Sequence, residues 1–387
     1  MNFNITGFVK LILQEDFECR IIKDSMINTI TISGKELTLP VFVPDGTYGV
    51  VRSVDAADLQ ACRVQAVMMN TFHLMQKPGS STIRAVGGLH NFSGWQGPIF
   101  TDSGGFQAFS LMREKSKFGQ VTDDGISFTP EGSARKFLLT PEKCIRLQMS
   151  YRSDLLFCLD DCTHVDEAQA DQQVAVQRTI VWAKRCKKEY QKILDQRKDE
   201  GGQRPLLFGI VQGGQSYELR QQCAQALLEI GFDGYGYGGW PLNGTGELVE
   251  EMVAYLRQLI PAQFPLHALG IGQPDNVARS HALGYQLFDS AMPTRDARHG
   301  RLYRFIGALA PSGKKWWEYV YLQDQRHTKG NQPIDELCDC PTCRSVSLAY
   351  LHHLFKIGDG LFQRLATLHN LRFMTQLCEK LGGSQNG

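Results

Sequence analysis

Seven short apolar runs, each stopped by a polar residue or a glycine, constrain this chain more than any other feature. They are AVMMNTFH (66–73), PIFTDSGG (98–105), DLLFCLDDCT (154–163), LLFGIVQGG (206–214), GYGYGGW (234–240), HALGIG (267–272) and LFDSAMPT (287–294). Runs of this length bounded by turn residues have the form of strands buried on both faces. Helical patterns fit between several of them, as in DEAQADQQVAVQRTIVWAKRCKKEYQKIL and GELVEEMVAYLRQLI. Strands alternating with helices imply a parallel sheet covered by helices. Seven or eight such units over about 250 residues predict an α/β fold, a (β/α)8 TIM-type barrel, with a doubly wound open sheet as the alternative.

Two flanking regions depart from the alternation. The stretch 26–44, MINTITISGKELTLPVFVP, alternates on both sides of Ser33-Gly34-Lys35 and reads as an N-terminal β-hairpin capping one end of the barrel. Beyond about residue 310 a Cys- and His-containing region begins, so the expected division is 1–310 for the barrel with its hairpin and 311–387 for a zinc-binding subdomain with C-terminal helices. Within the barrel, 185–205 is charge-rich and reads as an exposed helix and linker without chemistry.

Composition narrows the function classes. The chain is 42% hydrophobic and 21% charged, ordinary for a globular protein. No apolar stretch approaches the ~20 residues that span a bilayer. The N-terminus turns acidic after a three-residue apolar run and makes a poor leader. Eleven scattered cysteines argue for a reducing compartment, so a cytoplasmic protein is expected. A net charge of +1 excludes chain-wide attraction to nucleic acid, and such a partner needs a local patch. PTRDARHGRLYR (293–304) offers one, with Arg295, Arg298, Arg301 and Arg304 at a spacing of three; a solvated basic turn is the plainer reading.

Only one group of cysteines is clustered. Cys338, Cys340 and Cys343 form C-x-C-x-x-C on a proline-bearing turn, a donor set that suits tetrahedral zinc. His352, His353 and His369 are the candidates for a fourth ligand. The apolar pattern from Leu348 to Leu381 suggests two helices broken at IGDG (357–360), and a ligand on the second can fold back over the turn, which favours His369. Four protein ligands close a site, so the expected zinc is structural, one per chain.

The strand ends carry the candidate chemistry. Asn70, Asp102, Asp160, Gln212, Gly239 and Asp289 all sit at the trailing end of a run, and in a barrel those ends converge on the active-site face. Substitution at an anomeric carbon needs one carboxylate to attack or stabilise and an acid to protonate the leaving group, a pair that Asp102 and Asp289 can supply. Gly104 and Gly105 let a ligand approach beside Asp102. Asp160 and Gln212 provide acceptors and an amide suited to the edge of a purine-like base.

Together NTFHLMQKPG, GGLHNFSGW, TDSGGFQ, FCLDDCT, GIVQGG, FDGYGYGG, LGIGQPD, FDSAMPTR and the C-x-C-x-x-C with its later histidine resemble the tRNA-guanine transglycosylases of bacterial type, over nearly the whole chain. The resemblance implies exchange of the wobble guanine of tRNAs with a GUN anticodon for a 7-deazaguanine, in queuosine modification. Asp289 aligns with the nucleophile that forms a covalent tRNA intermediate and Asp102 with the general acid/base. Ser103, Phe106, Asp160, Gln212, Gly238, Gly239, Trp240 and Leu269 fall at base-binding positions. Asn70 matches a residue that orients the carboxylates, Arg295 and Arg298 match residues that grip the anticodon loop, and a homodimer is implied. Rival readings are a barrel glycoside hydrolase and a non-catalytic partner subunit; the zinc turn, Asp160 and the retained carboxylates speak against them.

Several residues depart from the family pattern. Phe106 stands where tyrosine is common and keeps stacking without a hydroxyl. Asp45 replaces an apolar residue. In GGWPLNG (238–244), Trp240-Pro241-Leu242-Asn243 replaces the usual loop and Gly244 stands for a glutamate. Pro241 has no N–H, so the peptide after Trp240 can accept but never donate. That favours an incoming base bearing an ammonium, the pre-queuosine-1 base or queuine, over the cyano precursor. Cys162 and Leu242 favour the smaller pre-queuosine-1 base.

Overall fold

Eight strands pair in parallel around a barrel in the computed structural model, which describes residues 27–114, 118–130, 136–164, 167–197, 203–243, 247–309 and 315–383. They are β1 Val41–Pro44, β2 Val67–Met69, β3 Ile99–Thr101, β4 Leu155–Phe157, β5 Leu206–Val211, β6 Gly234–Tyr237, β7 Leu266–Ala268 and β8 Leu287–Ser290. The hydrogen-bonded order runs β1-β8-β7-β6-β5-β4-β3-β2. Its ends meet: Asp45 bridges to Met68, and the Gly46 N–H donates to the Met68 carbonyl at 2.6 Å. That contact excludes the open sheet and leaves the expected TIM-type barrel.

The hairpin is shorter than its sequence pattern suggests. Thr29–Ile32 pairs antiparallel with Lys35–Thr38, while Val41–Pro44 pairs in parallel with β8. The end of the alternating stretch is therefore a barrel strand, β1. All four of its residues are buried, so it lacks a period of its own and merges with the alternation before it. Ile32, Leu37 and Leu39 pack in one cluster with Val41, Leu155 and Leu287, the first or near-first residues of their strands. The hairpin thus plugs the N-terminal end of the barrel and leaves the other end open.

Alternation inside the barrel shows why β6 is rich in glycine. A Cβ at Gly234, Gly236 or Gly238 would lie 2.3 Å from the Phe208 ring, 2.8 Å from Ile210 and 2.7 Å from the Gln212 amide. The bare side of β6 makes room for the large side chains of β5, and Tyr235 and Tyr237 turn outward into the helical layer. The lower interior is thereby filled by large apolar side chains.

Three additions lie outside the alternating pattern. A three-stranded antiparallel sheet, Gly119–Thr122, Gly125–Phe128 and Phe137–Leu139, follows the helix after β3. Arg301–Phe305 pairs with Trp317–Tyr321. The two C-terminal helices, Leu348–Ile357 and Gly360–Gly383, break where expected, with Gly358 left-handed (φ 69°) at the end of the first. Phe373, Met374, Leu377, Cys378 and Leu381 of the second join Phe42 of β1 in the main core. No helix among the described residues is long and apolar enough to cross a membrane. The N-terminal segment through Met26, the linker at 198–202, Gly244 and the division at 310/311 lie outside the described residues.

Candidate active site

Reading round the rim through β8, β1, β2 and β3, the residues at or just past the strand ends are Asp289, Asp45, Asn70 and Asp102. β4, β5 and β6 follow with Asp160, Gln212 and the Gly238-Gly239 pair. Asp102 continues the pairing of β3 through its N–H to the Met69 carbonyl at 3.2 Å. Its carboxylate accepts from Asn70 Nδ2 at 2.6 Å and from the Thr71 N–H at 2.8 Å. Asn70 also caps the next helix, its Oδ1 accepting from the His73 N–H at 2.9 Å. That second bond fixes which way the amide faces and aims the Nδ2 donor at Asp102.

Desolvation pushes the Asp102 pKa up to about 8; Asp45 and Asp289 add their negative charge, and the Thr71 and Gly104 N–H groups oppose it. Asp289 is held differently. His267 Nε2 donates to its Oδ1 at 2.8 Å and the Gly270 N–H to the same oxygen at 3.1 Å. Both bonds fall on one oxygen, and Oδ2 has no hydrogen bond among the described residues. His267 was not singled out in the sequence, although a histidine inside an otherwise apolar buried run is a usable signal. Asp45 takes the Thr47 hydroxyl at 2.7 and 2.6 Å, yet burial still raises its pKa, with Asp289 adding to the effect.

The next sector is built for a polar ring edge. Gln212 Nε2 donates to Asp160 Oδ2 at 2.6 Å, and the Ser103 hydroxyl lies 3.5 Å from Oδ1. Burial lifts the Asp160 pKa to about 6. Gln212 Oε1 is buried and has no hydrogen-bond partner among the described residues, an acceptor left over beside Asp160. The adjacent Asp161 faces elsewhere, in an ion pair with Arg178. Gly104, at φ +78°, and Gly105 have a packing role within the protein: a Cβ on them would lie 3.0 Å from the Phe72 nitrogen and 3.2 Å from the Asp160 carbonyl. They let three rim segments pack together. Phe106 and Trp240 stand above this sector with ring centroids 5.4 Å apart, and Leu269 packs beside Gly236.

The arginine stretch divides. Arg295 is exposed and Arg298 half-buried on the helix Met292–Arg298, and Arg52 and Arg295 add to the burial that lowers the Arg298 pKa. Arg301 and Arg304 lie on a strand and pair with Asp296 and Glu318. The positive patch is therefore Arg295, Arg298 and Arg52, the last unmarked by any motif.

Away from the rim, Cys338, Cys340, Cys343 and His369 bring their ligand atoms within 4.8 Å of one another. His369 Nδ1 is 3.3 Å from Cys343 Sγ and 3.7 Å from Cys340 Sγ, and its Nε2 donates to the Tyr303 carbonyl at 2.6 Å. That bond turns Nδ1 and its lone pair toward the thiols, the arrangement of a metal-ligating histidine. His352 lies outside this cluster, its Nδ1 donating to the Leu322 carbonyl at 2.6 Å. The donor set fits a metal ion.

A family model described as queuine tRNA-ribosyltransferase matches residues 24–382. The chain belongs to the queuine tRNA-ribosyltransferase family. Proteins of that name from Nitrosospira multiformis, Psychrobacter sp. and Solidesulfovibrio magneticus are 39%, 37% and 36% identical to it. The matches cover 90%, 91% and 91% of this chain and 89%, 87% and 88% of the relatives. Members of the queuine tRNA-ribosyltransferase family are pentosyltransferases, and this chain is an enzyme of that class.

Proposed function

We propose that the enzyme exchanges the wobble guanine of tRNAs with a GUN anticodon for a 7-deazaguanine, through a ribosyl ester on Asp289. The observation that carries this reading is one rim with two carboxylates held for different tasks. Asp289 keeps an oxygen uncommitted, and Asp102 is desolvated enough to hold a proton near neutral pH. Asp289 attacks the anomeric carbon, the bond to guanine breaks, and the Asp102 proton passes to the departing base. The ester keeps the tRNA while bases exchange. Asp102, now a carboxylate, takes the ring N–H proton of the incoming base, whose nitrogen attacks the same carbon and frees Asp289. One glycosidic bond replaces another, so no further energy source is needed.

The other residues serve this path. Asn70 holds Asp102 in place. Ser103, Phe106, Asp160, Gln212, Gly238, Gly239, Trp240 and Leu269 form the base pocket, Asp160 accepting from a guanine-like N–H edge. Arg295 and Arg298 take anticodon-loop phosphates while the target nucleotide is splayed out. The Cys3His cluster holds one zinc ion, whose role is to fix the C-terminal helices and not to act on substrate. The enzyme works on this reading as a cytoplasmic homodimer.

The carbonyl of Trp240, fixed as an acceptor by Pro241, favours the aminomethyl base, pre-queuosine-1 base, over the cyano precursor. Cys162, buried beside Asp160, and Leu242, bridged to Leu248, narrow the pocket toward the smaller base rather than whole queuine. The test is incorporation of labelled guanine into tRNA, followed by a chase with each candidate base. Asp289→Asn should lose the trapped adduct and at least about 10³-fold of exchange. Exchange retained in that variant would refute the nucleophile. Pro241→Ala should relax discrimination against the cyano base, and a chase won by queuine would reassign the physiological substrate.

A further inference from the structure

Phe106 and Trp240 are both exposed, at 40% and 37%, the first in the opening turn of the helix after Asp102 and the second directly after Gly239. Their rings meet at 5.4 Å with an interplanar angle of 34°. Trp240 also meets the His164 ring, 5.9 Å away and tilted by 50°. The three rings form a row from the helix Gly105–Glu114, across the β6 end, to the segment after β4. The brace at the end of the row is tied down: Gln172 Nε2 donates to the His164 carbonyl at 2.6 Å, and the Thr163 hydroxyl donates to Gln172 Oε1.

The contact bears on how the pocket holds a planar ligand. Two rings around an inserted third need a separation of about 7 Å, twice an ordinary carbon contact. At 5.4 Å no base fits between Phe106 and Trp240. The indole covers one part of the Phe106 ring, and the base must use the face left free. Phe106 has no hydroxyl with which to anchor itself, and Trp240 is its one recorded ring partner among the described residues. A phenyl ring on an exposed first helical turn otherwise has freedom to rotate away, and each immobilised side chain costs binding free energy.

We propose that Trp240 is a specificity-determining positioning residue whose indole, braced by His164, holds the Phe106 ring over the base. This rests on the base-exchange reading above and adds that two residues at separate places in the chain act as one unit. The indole and phenyl contributions to base affinity are then coupled, because Phe106 stacks well only while Trp240 supports it.

A double-variant cycle on the full-length enzyme tests this, with guanine and the aminomethyl 7-deazaguanine as probes. Trp240→Leu should raise the KM for the base about tenfold, lower kcat less than threefold and leave the KM for tRNA in place. Phe106→Leu should do the same, and the double variant should be no worse than either single one. Trp240→Phe, which keeps a ring, should recover most of the loss. Trp95, Trp182, Trp316 and Trp317 are buried, so a base-dependent change in tryptophan emission should vanish in Trp240→Leu. Multiplying effects in the double variant, or a base KM unmoved by Trp240→Leu, would overturn the coupling while leaving the exchange reaction standing. Absence of any guanine exchange by the native enzyme would instead overturn the function, and this proposal with it.

Discussion

The Cys338–Cys340–Cys343–His369 cluster and the carboxylate rim are both assembled from short polar signals, yet they are wired in opposite ways. In the cluster every donor converges on one point, and the spare nitrogen of His369 is tied to the Tyr303 carbonyl. On the rim Asp102 is held through both oxygens, yet capacity is left over around it. Asp289 commits Oδ1, Gln212 keeps a buried oxygen without a partner among the described residues, and Asp102 sits where its charge is disfavoured. A site whose donors are all spent can stabilise; a site with acceptors and protons left over can react. The contrast also explains why each needs the other. The helix carrying His369 packs against β1, and β1 carries Asp45 onto the rim.

The largest effect that could break this contrast is on stability. Cys343→Ser should lose the metal and more than about 4 kcal/mol of unfolding free energy, read by metal analysis and a urea melt. Asp289→Asn should lose exchange while keeping the native melt. Comparable melts for the two variants would mean that the cluster does not hold the fold. A smaller effect separates the arginines within one stretch. Arg295→Ala should raise the KM for tRNA about tenfold and reduce the slope of binding against salt by roughly one. Arg304→Ala should change that KM less than twofold, because Arg304 is paired with Glu318. Equal effects would show that the patch extends along the strand.

How far the sequence could be read follows the same division. Residues that end a run were legible, since a polar side chain at a strand terminus has few other reasons to recur around a barrel. Asp102, Asp289, Asp160 and Gln212 all fall where the runs placed them. The metal turn was legible because its ligands are close in sequence, and His369 followed from the helix break at Gly358. What escaped depends on contacts between distant segments. β1 carries no periodic mark after its hairpin. His267 gains its meaning only from Asp289, a strand away, and Arg52 only from Arg298. For the glycines after Asp102 the sequence points only to a ligand, because the packing of Phe72 and Asp160 against them joins distant segments.

Asp45 is where the contrast can be sharpened most finely. It lies between Asp289 and Asp102 on the rim and is one of the charges that keep Asp102 protonated. Asp45→Asn keeps a polar partner for the Thr47 hydroxyl but removes the negative charge. A carboxyl whose pKa is raised by a neighbouring anion must fall when that anion is neutralised, so Asp102 would lose its proton at lower pH than the native group. On the proposed mechanism, departure of guanine needs that proton. Single-turnover guanine release should therefore be nearly unchanged around pH 6 and a few-fold slower around pH 8, with the alkaline limb displaced toward acid. A limb that stays in place would confine Asp45 to the Thr47 turn, and a limb displaced toward alkali would mean that Asp102 does not deliver the proton at all.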